Sequence, residues 1–175
     1  ARDLDVSVAV LSLGANLGDR IELLRAALRG LGPALRAVSP VYETAPWGPV
    51  PQGDYLNLVA IVDDPGVDAR GWLERGRALE AAAGRARDLR WGPRTLDVDV
   101  IAVQDGGAAV LLDDPELTLP HPRAAQRAFV LAPWADLDPA AAVPGVGAVR
   151  DLLAALPDEE RSGVRRRDDL IGDPE

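Results

Sequence analysis

The sequence contains no cysteine, no lysine and a single histidine, His121. Without cysteine there is no disulfide framework, no thiolate-held zinc or iron–sulfur centre and no thiol nucleophile. One imidazole excludes any site that needs several. Without lysine there is neither a Schiff base nor a Walker-type phosphate lysine. All 19 positive charges are therefore arginine, set against 28 acidic residues for a net charge of −9. That balance speaks against a general nucleic-acid binder, which needs a broad basic face. No apolar run reaches the ~18 residues of a membrane span. The opening Ala1-Arg2-Asp3-Leu4-Asp5 lacks the basic and apolar regions of a signal peptide. A soluble, cytoplasmic protein without a nucleic-acid or membrane partner is expected. Its 175 residues, 47% of them apolar, suffice for one domain with its own core.

Residues 6–13 are apolar and β-branched, the pattern of a buried strand. Residues 14–18, Gly-Ala-Asn-Leu-Gly, read as a turn. Asp19, with Glu22 three residues on, is placed to cap a helix. In that helix Ile21, Leu24, Ala27, Leu28 and Leu31 recur at helical spacing until Gly32-Pro33 stops it. Residues 35–43 and 55–62 read as strands around a Pro/Gly-rich loop at 44–53. Residues 67–83 read as a helix, 84–93 as a second loop, and 96–103 as a fourth strand. The order strand–helix–strand–strand–helix–strand predicts an α+β, ferredoxin-like fold, an antiparallel sheet with helices on one face. Extra helical segments follow near residues 123–135 and 149–156. A single domain over residues 1–157 is expected, with a charged, mobile tail at 158–175.

The chemistry concentrates in residues 90–101, Arg-Trp-Gly-Pro-Arg-Thr-Leu-Asp-Val-Asp-Val-Ile. On a strand, Asp97 and Asp99 share one face about 6.6 Å apart, while Val98 and Val100 point into the core. Such a pair repels by about 2.5 kcal/mol at an effective dielectric of about 20, so something positive must compensate. Mg²⁺ commonly takes one or two carboxylates plus substrate phosphates. A bare Asp-x-Asp equally fits a solvated strand face; the neighbouring arginines change that balance. Between residues 70 and 94 there are seven (Arg70, Arg75, Arg77, Arg85, Arg87, Arg90 and Arg94) against Glu74, Glu80 and Asp88, a local charge of +4 that leaves −13 on the remainder. Arg70 and Arg75 read as helix-surface residues pairing with Glu74 and Glu80. Arg85, Arg87, Arg90 and Arg94 sit in or beside a Gly-bounded loop that leads directly into the aspartate pair. Guanidinium groups bind phosphate oxygens bidentately and keep their charge, which is what a polyphosphate site requires.

Aromatics make up only 4% of the chain, so their placement is informative. Trp47 and Trp91 lie in Pro/Gly loops and are candidate lids over a planar ring. Tyr55 and Asn57 share one strand face, and Asn57 can donate and accept at the edge of a heterocycle. Each of these alone also fits packing or turn capping. His121 is held in a non-helical segment by Pro120 and Pro122, a setting that by itself suits a structural histidine. Arg127 and Phe129 follow, again a cation and an aromatic.

Four segments then stand together in order and spacing: residues 14–20 (Gly-Ala-Asn-Leu-Gly-Asp-Arg), Thr44 with Tyr55-Leu56-Asn57, residues 90–101, and residues 117–123 (Leu-Thr-Leu-Pro-His-Pro-Arg). Over residues 6–157 they resemble the 6-hydroxymethyl-7,8-dihydropterin pyrophosphokinase family of folate biosynthesis. The resemblance implies transfer of the β,γ-pyrophosphoryl unit of ATP to the pterin's 6-hydroxymethyl oxygen, releasing AMP. It implies Asp97 and Asp99 as ligands of two Mg²⁺ ions, and Arg85, Arg87 and Arg94 as catalytic arginines. ATP contacts would come from these three with Arg90, Thr118, His121 and Arg127. The pterin side would be Thr44, Pro46, Trp47, Tyr55, Asn57, Trp91 and Phe129, with two aromatic rings sandwiching the pterin. The partners implied are small molecules only, and a monomer is expected. Loops 45–53 and 84–92 would close over bound substrates.

Departures from the family pattern are Ala45 before Pro46, Trp47 at an aliphatic position, a shorter segment between Gly84 and Trp91, Glu116 where a basic residue occurs, and Pro122 where an aromatic occurs. None touches the aspartate pair. Two other classes share the expected topology. A metal-dependent nucleotidyltransferase would want a third metal acid and a basic groove. A small-molecule-sensing domain would have no use for the aspartates beside an arginine loop.

Overall fold

In this computed structural model, residues 7–16, 18–44, 54–84 and 96–170 are described. The apolar opening stretch forms strand β1 (Ser7–Ala15), so Gly14 and Ala15 belong to the strand rather than to the expected turn. Helix α1 (Arg20–Leu31) begins where Asp19 Oδ1 accepts from the Glu22 backbone N–H at 3.1 Å, as the capping pattern predicts. It ends at Gly32, whose φ of 59° suits a residue without Cβ. The expected strand over 35–43 is instead two, β2 (Leu35–Val38) and β3 (Val41–Thr44). The break falls at Ser39-Pro40, since proline has no N–H to continue a ladder. Ser39 fills the gap, its Oγ accepting from the Val59 N–H at 2.9 Å.

The chain continues through β4 (Tyr55–Asp63), α2 (Ala69–Gly84) and β5 (Asp97–Asp105). Three two-residue strands follow: β6 (Ala108–Ala109), β7 (Leu112–Asp113) and β8 (Thr118–Leu119). Next come α3 (Ala128–Leu137), β9 (Ala142–Val143), β10 (Gly147–Ala148), α4 (Val149–Ala155), α5 (Asp158–Ser162) and β11 (Val164–Arg167). The main sheet is antiparallel, ordered β11-β3-β4-β1-β5-β6, with β2 also on β4. Its centre, β5-β1-β4 with β2 and β3 together as the next strand, is the ferredoxin-like order.

One sheet face is apolar apart from Ser7 and Glu43, which are buried at its margins. Leu11 and Leu13 of β1, Leu56 and Leu58 of β4, and Val98 and Val100 of β5 pack there against Leu24 and Leu28 of α1 and Trp72 of α2. The helices are not confined to that face, as the sequence suggested. Val59 and Ile101 on the opposite face form a second core with Val130, Leu131 and Trp134 of α3 and Val149 of α4. This second face is apolar only at one end. Its other end carries Ser12, Gly14, Asn57, Asp97 and Asp99, which α3 cannot cover without burying their polar groups. A bulge marks the transition. The register of β1 on β5 runs Val10↔Ala102 and then Leu11↔Val100, so Ile101 is the extra residue; it keeps the face of Asp97 and Asp99, and Ala102 after it falls on that α3 side as well.

Residues 158–175, expected as a tail, supply α5 and β11, and β11 pairs antiparallel with β3. Residues 171–175 lie outside the described region. The charge density that suggested a tail has partners on the fold, because Arg165 and Arg167 meet Glu43 and Arg166 meets Asp136. Among the described residues no helix is long and apolar enough to cross a membrane.

Candidate active site

The polar end of the second face is assembled by strand register. Gly14 on β1 stands opposite Asn57 on one side and Asp97 on the other. Ser12, two residues back on the same face, stands opposite Asp99. Asn57 is only 4% exposed, and its Nδ2 donates to Thr44 Oγ1 at 2.9 Å. Thr44 in turn is paired with Tyr55. The carboxamide fits because residue 14 is glycine: a Cβ there would lie 2.7 Å from Asn57 Oδ1 and 3.8 Å from the Tyr55 ring. Burial, and after it the negative charge of Asp97, hold the Tyr55 hydroxyl above its ordinary pKa. Thr44, Tyr55, Asn57 and Asp97 thus form one continuous row across β3, β4, β1 and β5.

Asp99 extends the row towards α3. Arg127, just ahead of that helix, places Nη1 3.6 Å from Asp99 Oδ2, and its guanidinium lies 5.4 Å from the centroid of the Phe129 ring. The compensating positive charge that the aspartate pair demands is therefore present in part. His121 is hung on β5 by its backbone N–H, which donates to the Ile101 carbonyl at 2.8 Å. Its Nδ1 accepts from the Arg123 backbone N–H at 3.1 Å, which leaves Nε2 to carry the proton of the neutral ring. Burial lowers the His121 pKa; Asp99 opposes the shift, and Arg127 and Arg123 add to it. Thr118 lies in the β7–β8 hairpin, and its hydroxyl donates to the Asp114 carbonyl at 3.3 Å. The structure thus joins Thr44, Tyr55, Asn57, Asp97, Asp99, His121, Arg127 and Phe129, while Thr118 is engaged within its own hairpin. Arg85, Arg87, Arg90, Arg94, Pro46, Trp47 and Trp91 lie outside the described residues.

Two contributors escaped the sequence reading. Glu80, by sequence a surface partner for arginine, accepts the Val98 backbone N–H on its Oε2 at 2.9 Å, between the two aspartates. Gly76, one turn earlier on α2, lets the helix approach closely, since a Cβ there would meet Val98 Cγ1 at 3.1 Å. The spacing Gly76-x-x-x-Glu80 ahead of the aspartate strand is the signal that was available. Arg70 and Arg75 do form ion pairs, but with other partners than expected. Arg70 meets Glu116 at 3.0 Å and Asp114 at 3.4 Å, and Arg75 meets Asp64 at 2.8 Å. The hairpin and the α2 entry loop come closer to these arginines than the acids of their own helix do.

Asp97 and Asp99 offer hard oxygen donors from one strand face, as Mg²⁺ prefers. Among the described residues no group of three or more His, Cys, Asp or Glu side chains is arranged to hold a metal by itself. A cation at this pair would complete its shell with substrate oxygens and water, the usual situation for Mg²⁺ beside a polyphosphate. The residues present therefore fit the ion.

A family model described as 7,8-dihydro-6-hydroxymethylpterin-pyrophosphokinase matches residues 10–139. A Mycobacterium tuberculosis 2-amino-4-hydroxy-6-hydroxymethyldihydropteridine pyrophosphokinase is 51% identical over 164 residues, covering 89% of this chain and 87% of the relative. The Methylorubrum extorquens protein of the same name is 41% identical over 162 residues, covering 90% and 97%. Among solved structures, Plasmodium falciparum HPPK-DHPS with pteroate superposes with a TM-score of 0.66 at 13% identity over 85% of this chain. This chain covers 44% of that one, less than half its length, and at such identity the likeness concerns the fold alone. The span of the family match and the identity to the curated relatives settle the membership: this chain belongs to the 7,8-dihydro-6-hydroxymethylpterin-pyrophosphokinase family.

Proposed function

We propose that this chain transfers the β,γ-pyrophosphoryl unit of ATP to the hydroxymethyl oxygen of 6-hydroxymethyl-7,8-dihydropterin, releasing AMP, as a step of folate biosynthesis. The observation that carries the reading is the continuous row from Thr44 and Asn57 through Gly14 to Asp97 and Asp99, which sets a heterocycle-reading amide beside a carboxylate pair. Asn57, held by Thr44, meets the polar edge of the pterin, and Tyr55 and Phe129 contribute to its walls. Asp97 and Asp99 would hold Mg²⁺, two ions by the family resemblance, whose charge neutralises triphosphate oxygens and favours the attacking alkoxide. In the transfer, the hydroxymethyl oxygen bonds to the β-phosphorus. The bond from that phosphorus to the oxygen bridging to the α-phosphate breaks, AMP carries that oxygen away, and the hydroxyl proton is lost to solvent. No protein nucleophile is required, so a chain without cysteine or lysine is not handicapped.

Arg127 and the Nε2–H of His121 would donate to phosphate oxygens. Arg85, Arg87, Arg90 and Arg94 are assigned to the same triphosphate, with Thr118 nearby, and Pro46, Trp47 and Trp91 to the pterin, on their match to the family pattern. Catalysis is then alignment and charge neutralisation. The catalytic unit is taken to be a single domain that includes β11, acting as a monomer in the cytoplasm.

The test is AMP formation from ATP and the dihydropterin in the presence of Mg²⁺. Asp97→Ala and Asp99→Ala should each lower kcat by at least ~10²-fold, the scale of losing one main transition-state stabiliser, with unchanged circular dichroism. Release of pyrophosphate instead of AMP would favour a nucleotidyltransferase. No turnover by the wild-type chain, or near-normal turnover by either variant, would sink the proposal.

A further inference from the structure

We infer that the C-terminal strand β11 positions the pterin half of the site through an arginine clamp on Glu43 and Asp54, an inference that rests on the pterin assignment of Thr44, Tyr55 and Asn57. Glu43 precedes Thr44 on β3, faces the opposite side of the sheet and is 9% exposed. Three guanidinium groups converge on it. Arg20 Nη1 lies 3.2 Å from Oε2, while Arg165 Nη2 and Arg167 Nη1 lie 3.1 and 2.7 Å from Oε1. Two of these arginines also grip the start of β4. Arg20 Nη1 donates to the Asp54 carbonyl at 2.7 Å, and Arg165 Nη2 is 3.6 Å from Asp54 Oδ2. Asp54 immediately precedes Tyr55. One cluster therefore ties the end of β3 to the beginning of β4, the two strand ends that carry Thr44 and Tyr55 to Asn57, and two of its three cations come from β11.

The backbone of β11 follows the same strand, with Val164 opposite Thr44 and Arg165 opposite Glu43. On the site face, Arg166 Nη1 lies 3.3 Å from Asp136 Oδ2 of α3. That same carboxylate accepts from the hydroxyl of Tyr42, the residue paired with Asn57. The C-terminal strand thus braces β3 against α3, which carries Phe129, as well as against β4. Arg25 donates to the Leu170 carbonyl at 3.0 Å and closes the segment onto α1. Protecting a sheet edge needs only a covering strand or scattered charges. Here the side chains instead converge on carboxylates beside proposed substrate residues. Burial alone would raise the Glu43 pKa, but hydrogen bonds from Arg167 and Arg20 and the charges of Arg167 and Arg165 hold it below the ordinary value. The clamp is therefore charged at neutral pH.

The experiment compares Arg165→Ala/Arg167→Ala with the wild-type full chain. It measures equilibrium binding of a non-hydrolysable ATP analogue, and of 6-hydroxymethylpterin in its presence. The pterin Kd should rise at least about tenfold, the effect of about 1.4 kcal/mol, while the analogue Kd stays within about twofold. Arg165→Lys/Arg167→Lys, which keeps both charges on Glu43, should recover most of the pterin affinity. Asn57→Ala is the parallel arm. If it leaves pterin binding intact, the pterin assignment itself falls. If it weakens pterin while Arg165→Ala/Arg167→Ala does not, the clamp alone falls. Equal weakening of both ligands, or a loss that lysine does not recover, makes β11 mere edge cover and also overturns the inference. Should the double alanine variant fail to fold, Arg165→Ala alone, with a side chain 64% exposed, carries the same comparison with an expected loss of about threefold.

Discussion

Asn57 has room to turn its carboxamide towards Thr44 only because residue 14 has no side chain. The backbone of Gly14 lies within a regular strand, so here glycine provides space rather than an unusual dihedral angle. A methyl group would press on Asn57 Oδ1 from 2.7 Å, and Asn57 is held on its other side by Thr44. The carboxamide must then rotate or the β1–β4 pairing must part. Gly14→Ala should accordingly raise the KM for the pterin by about tenfold or more, the order expected when a positioning contact is displaced by about an ångström. The KM for ATP should change little. Steady-state kinetics in each substrate check this, and a KM increase confined to ATP would contradict the proposed division of the site. Glycine at this position was visible in the sequence as part of a supposed turn, but its use depends on what the neighbouring strand brings opposite.

At the scale of an element, β5 combines a legible feature with one that is not local. The period of two in Asp97-Val98-Asp99-Val100 suffices to place the aspartates on one face and the valines in the core, and both valines are buried there. The phase change between Ile101 and Ala102 arises from the register on β1, which no property of the segment itself dictates. The break between β2 and β3 is different, because Pro40 announced it and only the length of the apolar stretch concealed it. The outer edge of β5 at Val98 has Glu80 as its hydrogen-bond acceptor, delivered by a helix whose approach Gly76 permits. Removing the acceptor should cost about 1–3 kcal/mol in local order and loosen the segment that presents the aspartates. Glu80→Ala is expected to raise the Mg²⁺ concentration for half-maximal rate by about three- to tenfold. Glu80→Gln, whose amide oxygen still accepts, should stay near wild type. Faster hydrogen exchange at the Val98 amide in the alanine variant alone would identify the cause. Equal exchange in both variants would assign Glu80 a different role.

For the whole molecule, the informative feature is that two cores share one sheet but only one of them lies on the side of the proposed site. The core under α1 and α2 was readable from helical and strand periodicity, and four central strands in ferredoxin-like order followed from it. The covering of the second face was not, because α3 is apolar nearly all round and periodicity does not say which surface it will choose. Likewise β11 is rich in charge, and only the position of Glu43 and Asp136 explains why it joins the sheet. This asymmetry separates stability from function. Leu28 of α1, 3% exposed, and Leu131 of α3, 0% exposed, are comparable core leucines on opposite faces. Replacing either by alanine should destabilise the fold by about 2–5 kcal/mol through lost burial and the cavity left behind. Leu131, however, belongs to the helix that begins beside Arg127 and carries Phe129, whereas α1 lies beneath the apolar side. Leu131→Ala should therefore lower kcat/KM several-fold at a temperature where both variants are fully folded, and Leu28→Ala should leave it near wild type. Chemical denaturation gives the first quantity and initial rates give the second. If both variants lost activity in proportion to stability, the second core would have no special hold on the site, and the row of residues from Thr44 to Phe129 would depend on the sheet alone.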